Sequence, residues 1–378
     1  MNRRNRNLWT FLIIFSSIVI LGHAYIYARL ISQVFVSSLD QVLATGFLII
    51  LASTVLIQPF VPRGLNAKVY FLRATAYFWL GASFVLVTSL CLVDAISALA
   101  DQFDLLAEDI LSHRTTAAIF IFVLLFGYGL MQARMMARVR AVKIRLPRWP
   151  SEHNGFSIVQ ISDLHLSNRT RKRLPNELIG KVNSLNADLI VLTGDMVDGP
   201  LEELAELARP LGNFKSKYGT FFVTGNHDHY SGADEWCDYL STLGITVLRN
   251  ARVEPGSELF CLAGVDDYRG DWRKGSTCDL GAAIEGWSRK TPMVLLSHNP
   301  VVFEESAALG IDLQLSGHTH GGQVWPFHMA VRATTPYVSG LYRKKESTLY
   351  VSRGTGYWGP AIRLGAPSEI TQIFLYQE

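Results

Sequence analysis

Five short polar motifs carry most of the chain's potential metal ligands, and each directly follows a short apolar run. In chain order they read SDLHL, GDMVD, GNHDHY, SHNP and GHTHGG. They supply the side chains of Asp163, His165, Asp195, Asn226, His298, His318 and His320. Carboxylate, amide and imidazole donors suit a borderline divalent ion such as Mn, Fe, Zn or Co. A single histidine of this set could be an ordinary loop residue, but five motifs in register predict a metal site.

The same donors can serve two ions that share one ligand. A carboxylate can bridge two metals, and Asp195, which opens a tight turn after Gly194, is the natural candidate. Asp-x-His and His-x-His place both donors on one side of a segment if that segment is extended, because side chains alternate along a strand. Two ions about 3.5–4 Å apart activate water and neutralise phosphoryl oxygens. The chemistry expected here is therefore hydrolysis of a phosphoester.

The apolar runs before the motifs are predicted strands. They span residues 156–162, 189–194, 220–225, 292–297 and 311–317, and their continuous apolar character suits strands buried on both faces. Helix-like segments lie between them, and TLYVSRG and ITQIFLYQE predict two further strands. Ligand sites in α/β sheets form beyond the carboxyl ends of strands, so the five motifs are expected at one rim.

A basic segment precedes this domain and alternates in polarity. Val142, Ile144 and Leu146 would share one face, opposite Lys143 and Arg145. This pattern predicts an edge strand. A basic membrane-surface patch is the alternative, and the two interpretations are compatible.

In their order along the chain, DLH, GDMVD, GNHD, SHNP and GHTHGGQ resemble the motifs of the calcineurin-like metallophosphoesterase superfamily. The resemblance covers roughly residues 150–378. It implies an α/β domain built as an αββα sandwich, in which two mixed sheets pack together between helices. It also implies two divalent metal ions, with Mn expected first and Fe, Zn or Co as alternatives.

The resemblance also implies a role for each motif residue. One ion would take Asp163, His165, Asp195 and His320, and the other would take Asp195, Asn226, His298 and His318. His227 would face the phosphate and donate a hydrogen bond or proton to the leaving oxygen. Asp228 would orient the His227 ring, and Asp198 is assigned to a supporting or structural position.

The first third of the chain has a different composition. The whole chain is 49% apolar and only 18% charged, and the apolar excess lies near the N-terminus. Four stretches, 8–28, 41–62, 74–93 and 115–133, contain no Asp, Glu, Lys or Arg. Each is close to the roughly 20 residues that cross a bilayer as a helix. Four buried soluble helices, or a signal peptide in the first stretch, are the weaker interpretations.

Basic residues predict the orientation of these four spans. Lys and Arg are abundant before the first span, after the second and after the fourth, and scarce in the loops between. This alternation favours an integral membrane protein with both termini in the cytoplasm. The predicted organisation is a four-span domain at 1–134, a basic linker and edge strand at 135–150, and the phosphoesterase domain at 151–378.

Four spans followed by this domain resemble the bacterial integral-membrane branch of the superfamily, which includes UDP-2,3-diacylglucosamine pyrophosphate hydrolases. This resemblance implies a bacterial inner membrane. The C-terminal segment SRGTGYWGPAIRLGAPSEITQI shares that resemblance. Its Arg353, Tyr357, Trp358 and Arg363 are predicted to bind substrate, since Arg suits phosphate and aromatic rings can stack on a base. Packing at the surface is an equally weighted alternative for these four residues.

The expected partners are membrane lipids and a phosphorylated lipid or nucleotide-lipid substrate. A net charge of +3 gives no reason to expect a nucleic-acid partner. The alternative activity is a general phosphodiesterase or phosphatase that is merely tethered to the membrane. A non-enzymatic scaffold would tolerate broken metal motifs, and all five are intact. Transport is disfavoured, because His23 and Asp94 lie near the predicted ends of spans.

Overall fold

The computed structural model describes residues 3–34, 37–61, 67–103, 113–256, 260–268 and 278–378. The chain divides into two compact units. One contains Met1–Met131 with Gly359–Ile362, and the other contains Gln132–Trp358 with Arg363–Glu378. The second unit therefore begins before residue 138, where the first strand of its sheets starts.

The first unit contains four long apolar helices, as predicted. They are α1 Arg3–Ile26, α2 Ser38–Ile57, α3 Ala67–Gln102 and α4 Arg114–Arg134. A π-helical turn, Tyr27–Ile31, continues α1, and a 3-10 turn, Gln58–Phe60, continues α2. All four are long and apolar enough to cross a membrane. With 36 residues, about 54 Å at 1.5 Å per residue, α3 extends well beyond the predicted span at 74–93.

The polar residues of this unit have partners within it. Arg29, predicted to lie in the first loop, is instead buried in the π-helical turn. Its Nε and Nη2 each donate to a carboxylate oxygen of Asp94, at 2.8 Å. Tyr25 also donates to Asp94, and Trp79 donates to His23. Pairing of this kind explains how charged groups lie among apolar helices.

Two parts of the predicted loops fall outside the described residues. Arg63, in the loop after the predicted span at 41–62, lies there, as do residues 104–112 of the third loop, between the predicted spans at 74–93 and 115–133. Residues 94–102 of that third loop belong to α3.

The first sheet of the second unit is mixed and has the order β1-β12-β2-β3-β4-β5. Its strands are β1 Arg138–Leu146, β2 Phe156–Ile161, β3 Leu189–Thr193, β4 Thr220–Val223, β5 Thr246–Val247 and β12 Glu369–Gln377. Only the pairing of β12 with β2 is antiparallel. The predicted edge strand is β1, which pairs along its whole length with β12 and so forms part of the sheet.

The second sheet is also mixed and has the order β10-β11-β9-β8-β7-β6. Its strands are β6 Ala251–Val253, β7 Cys261–Gly264, β8 Met293–Leu296, β9 Leu313–Ser316, β10 Gly340–Lys344 and β11 Ser347–Val351. The four inner strands are parallel, and the two outer pairings are antiparallel.

Alternate residues of the buried strands face two different cores. Ile158 and Val191 pack with Leu296 and Leu315 of the other sheet. Their neighbours Val159 and Ile190 face the opposite way and pack against helices. Those helices are α5 Leu174–Asn183, α6 Leu201–Ala208 and α8 Ala233–Thr242. The outer face of the second sheet packs on α9 Leu280–Ala283 and α10 Phe303–Ala308. The predicted αββα sandwich is confirmed.

The site elements lie at the carboxyl ends of strands from both sheets. Motifs follow β2, β3 and β4 in the first sheet and β8 and β9 in the second. Two short helices complete the rim, α7 Asn226–Tyr230 directly after β4 and α11 His328–Thr334 after β9. Because the sheets pack face to face, five separate segments meet at one place.

Candidate metal centre

The predicted ligands are held by an unusual backbone conformation. Asp163, His165, Asp195, His318 and His320 all have positive φ, between 50° and 73°. Non-glycine residues rarely adopt this left-handed region, and they concentrate at functional sites when they do. The extended geometry predicted for Asp-x-His and His-x-His is therefore wrong. Left-handed turns, rather than strand alternation, bring each pair of donors together.

Two glycines permit the close approach of the ligand segments. A Cβ on Gly317 would lie 1.9 Å from Ser162 Oγ and 2.3 Å from Asp163 Oδ2. A Cβ on Gly225 would lie 2.2 Å from Asp195 Oδ1. Real Cβ atoms do not approach other atoms so closely, so both positions require glycine.

One half of the centre joins Asp163, His165 and His320. The Nε2 atoms of the two histidines are 3.0 Å apart, and His320 Nε2 is 3.3 Å from Asp163 Oδ1. All three residues are buried. Burial, together with the positive charges of His165 and Arg363, holds the pKa of His320 well below its usual value. A neutral imidazole is the form that binds a metal.

The other half joins Asp195, His298 and His318. His298 Nε2 is 3.1 Å from Asp195 Oδ2 and 3.2 Å from His318 Nδ1. His298 Nδ1 donates to the Thr193 carbonyl at 2.8 Å, which leaves Nε2 to face the centre. Such a contact behind the ring fixes the tautomer that a metal ligand needs.

Asp195 contributes to both halves through one oxygen. Its Oδ2 lies 3.1 Å from His298 Nε2 and 3.8 Å from His165 Nε2, whereas Oδ1 accepts the His227 amide hydrogen at 2.7 Å. Burial would raise the pKa of Asp195, but the surrounding imidazoles of His298, His227 and His165 lower it. An ionised carboxylate oxygen between two groups of nitrogen donors has the position of a bridging ligand.

The donor set fits two divalent ions. The three residues of each half have ligand atoms within 4.8 Å of one another. Asn226, the remaining predicted ligand, is buried, and its Oδ1 lacks a hydrogen-bond partner among the described residues. A buried amide oxygen without a donor is costly unless a cation satisfies it. Mixed oxygen and nitrogen donors suit a borderline metal.

His227 lies beside the metal ligands but has a different partner from the one predicted. Its Nδ1 is 2.5 Å from Asp198 Oδ1. Asp198 also lies 3.2 Å from His165 Nδ1. Burial would raise the pKa of Asp198, but the two imidazoles hold it well below its usual range. Asp198, which the sequence placed only in a supporting role, is thus the carboxylate that orients His227.

The expectation that Asp228 orients His227 is wrong. The Asp228 carboxylate accepts backbone hydrogens from Gly225, Asp195, Met196 and Val197, at 2.7–3.2 Å. Burial and the nearby Asp195 carboxylate raise the pKa of Asp228 to about 7. Asp228 takes these partners instead of the His227 ring because it lies between two motif turns. The first turn of α7 and the loop at Asp195 both present backbone amides that have no helical partner there. Asp228 therefore holds the GDMVD and GNHD turns together.

The four predicted substrate-binding residues lie in different surroundings. Trp358 is 46% exposed, and its ring centroid is 6.1 Å from that of His227. Tyr357 and Arg353 are half-buried. Arg363 is buried, and its guanidinium bonds to the carbonyls of Gly356 and Ala366 and to His320 Nδ1, at 3.1 Å. Arg363 therefore lies behind the His320 ring and does not face substrate, which corrects that prediction.

The comparisons with known proteins identify the family of this chain. The calcineurin-like phosphoesterase family matches residues 156–322. The chain is 31% identical to "Transmembrane protein with metallophosphoesterase domain" of Danio rerio, over 97% of this chain and 89% of that protein. It is 32% identical to the protein of the same name of Bos taurus, over 95% and 87%. An "Uncharacterized metallophosphoesterase" of Helicobacter pylori is 34% identical, over 67% and 69%.

The fold and the site define a metal-dependent phosphoester hydrolase. The chain belongs to the calcineurin-like metallophosphoesterase family. Its four apolar helices, and relatives named as transmembrane proteins over nearly the same length, make it an integral membrane member of that family.

Proposed function

We propose that this hydrolase cleaves a phosphoester or pyrophosphate carried by a membrane-borne substrate, at the cytoplasmic face. The observation that carries the proposal is the presence of four membrane-crossing helices on the same chain as the metal centre. Such an anchor raises the local concentration of a lipid-linked substrate. A UDP-2,3-diacylglucosamine-type pyrophosphate is the first candidate, and a tethered general phosphodiesterase is the alternative.

The residues of the chain divide the chemistry between them. When bound, two divalent ions, of which Mn is the first candidate, supply an activated water and neutralise charge on the phosphoryl oxygens. We assign one ion to Asp163, His165, Asp195 and His320, and the other to Asp195, Asn226, His298 and His318. Asp195, whose Oδ2 lies near both His298 and His165, would be shared by the two ions.

His227 is proposed as the proton donor. Its Nδ1 hydrogen is held by Asp198, so Nε2 remains for the oxygen of the leaving group. A positioned acid of this kind contributes about 10²–10⁴ in rate. The exposed ring of Trp358 lies next to His227 and supports a role in holding the leaving group, together with Tyr357.

The substrate proposal is tested with the full-length protein in mixed micelles. We expect kcat/KM for an acylated nucleotide-sugar pyrophosphate to exceed that for its deacylated form by more than tenfold. Diluting the lipid within the micelle surface, at constant bulk concentration, should lower its rate, whereas a soluble chromogenic ester should be unaffected. Equal kcat/KM for the acylated and deacylated forms would favour the general phosphodiesterase.

The orientation is a second part of the proposal. We assign the protein to a bacterial inner membrane with cytoplasmic termini, and the basic residues before the first span and after the fourth support that orientation. A reporter that is active only in the periplasm, fused after Glu378, should remain silent in a bacterial host. Strong reporter activity would place the hydrolase domain on the other side.

A further inference from the structure

A cleft of about 280 Å³ opens next to the metal centre. Its walls include Gly321, Trp325, His328, Arg332, Tyr342 and Arg353, and we call it the arginine cleft. Gly321 directly follows His320 in the chain. On the other wall, Gly354 follows Arg353 and packs so closely on His320 that a Cβ there would lie 3.2 Å from its Nδ1. Two backbone segments, at residues 320–321 and 353–354, therefore belong to the cleft wall and also carry or contact the metal ligand His320.

The walls of the arginine cleft are fixed by hydrogen bonds. The amide of the wall residue Leu364 donates to the Gln323 carbonyl at 2.9 Å. The Trp325 amide donates to the Leu364 carbonyl at 2.8 Å, and the Tyr342 hydroxyl accepts from the Val338 amide. A cleft with walls held in this way is formed before any ligand arrives.

The charge of the cleft is positive. Within the described ranges, neither Arg332 nor Arg353 forms an ion pair, and no Asp or Glu lines the cleft. Other arginines of this unit, such as Arg148 and Arg249, do pair with carboxylates. Two arginines that line one cleft suit an anion with several oxygens, because each guanidinium can donate two parallel hydrogen bonds.

The size of the cleft restricts the ligand. A volume of about 280 Å³ is slightly below the range of about 300–1,000 Å³ for drug-sized ligands. A compact anion with part of a sugar or linker fits such a space, whereas several acyl chains do not. Trp325, which is 44% exposed, offers an apolar surface at the same place.

We propose that the arginine cleft binds a second phosphoryl group of the same substrate molecule whose scissile group reaches the metal centre. This inference rests on the proposed phosphoesterase function and specifies its substrate class as one carrying two phosphoryl groups. Arg332 and Arg353 are the specificity-determining residues.

The test compares alkyl monophosphonates with α,ω-bisphosphonates of matched chain length. Binding is measured by calorimetry on the full-length, metal-loaded protein in detergent. At the chain length that spans the metal centre and the cleft, the bisphosphonate should bind about 10–100-fold more tightly than the monophosphonate. The gain comes from the charge-assisted hydrogen bonds of its second phosphoryl group. In R332Q/R353Q, the ratio of the monophosphonate dissociation constant to the bisphosphonate dissociation constant should fall to about one. The preference should persist in R343Q, which removes an exposed arginine that pairs with Glu378.

Three results would overturn the inference. The first is no preference for any bisphosphonate in the wild type. The second is an unchanged preference in R332Q/R353Q, with metal content and thermal stability confirming that the variant is folded. The third is a stoichiometry of two bisphosphonate molecules per chain at every chain length, since one molecule would then not reach both the metal centre and the cleft. Hydrolysis of a chromogenic ester by the wild type separates these results from failure of the phosphoesterase activity, because that failure would abolish hydrolysis itself.

Discussion

Asp198 contacts two histidines that have different proposed tasks. One carboxylate oxygen lies 2.5 Å from His227 Nδ1 and 3.2 Å from His165 Nδ1. The first contact orients the proposed proton donor, and the second lies behind a proposed metal ligand. Removing the charge of Asp198 should therefore affect proton donation more than metal content, because His165 keeps its other neighbours.

Asp198→Asn should lower kcat by about 10–10², the usual cost of losing a carboxylate that orients an active-site imidazole. His227→Ala should lower kcat by about 10²–10⁴ and retain both metals. The double variant should be no slower than His227→Ala, because the two residues act as one unit. The measurement is kcat for esters with good and poor leaving groups, together with metal content.

The loss in His227→Ala should be smaller for a nitrophenyl ester, since that leaving group needs little protonation. Equal losses for both classes of ester would contradict the acid role. Loss of one metal ion in His227→Ala would instead make His227 a ligand, a possibility raised by its proximity to His165 and Asp195.

At the scale of elements, the turn after β9 depends on the absence of a side chain at Gly317. A methyl group there would overlap Ser162 Oγ and Asp163 Oδ2. Gly317→Ala should therefore displace Asp163 and reduce bound metal below two ions per chain. Gly180→Ala is the matched control, because its Cβ meets nothing within 4 Å in α5. Elemental analysis and a melting curve measure both effects.

The control should gain rather than lose stability, by up to about 1 kcal/mol, since alanine favours a helix more than glycine does. A Gly317→Ala protein with two ions and wild-type activity would show that the turn can move without cost to the centre.

The membrane helices are joined by an ion pair between the turn after α1 and α3. Arg29→Leu should lower stability by about 2 kcal/mol, because Asp94 loses its charge-assisted hydrogen bonds. Arg29→Leu/Asp94→Leu should recover much of that loss, since neither charge then remains unpaired. Unfolding midpoints in detergent provide the measurement. Identical midpoints for the wild type and Arg29→Leu would show that the pair contributes nothing to stability.

At the scale of the whole molecule, local patterns in the sequence predicted the strands before the motifs and the apolar helices well. Continuous apolar runs predicted β2, β3, β4, β8 and β9, because a strand buried on both faces of its sheet needs apolar side chains at nearly every position. Four uncharged stretches predicted the four apolar helices, since only such stretches suit a bilayer. The two-sheet arrangement came from the resemblance to a family and not from any single pattern.

Contacts between distant residues could not be predicted in the same way. Arg363 reaches His320, and Arg29 reaches Asp94, across segments whose packing no local pattern describes. Asp198 and Asp228 are both acidic and close to a motif, so the sequence alone did not distinguish which one contacts His227. The left-handed backbone at Asp163 and His165 was missed because only glycine usually signals that conformation.

The central claim is that seven side chains hold two metal ions through one shared carboxylate. Metal content and phosphoesterase activity, measured on the same samples of wild type and Asp195→Asn, test it most directly. The wild type should bind two ions per chain, lose activity in chelator and recover it with Mn. Asp195→Asn should lose both full metal content and activity. Full metal content with retained activity in Asp195→Asn would contradict the bridging role, and activity unaffected by chelator would contradict the metal centre itself.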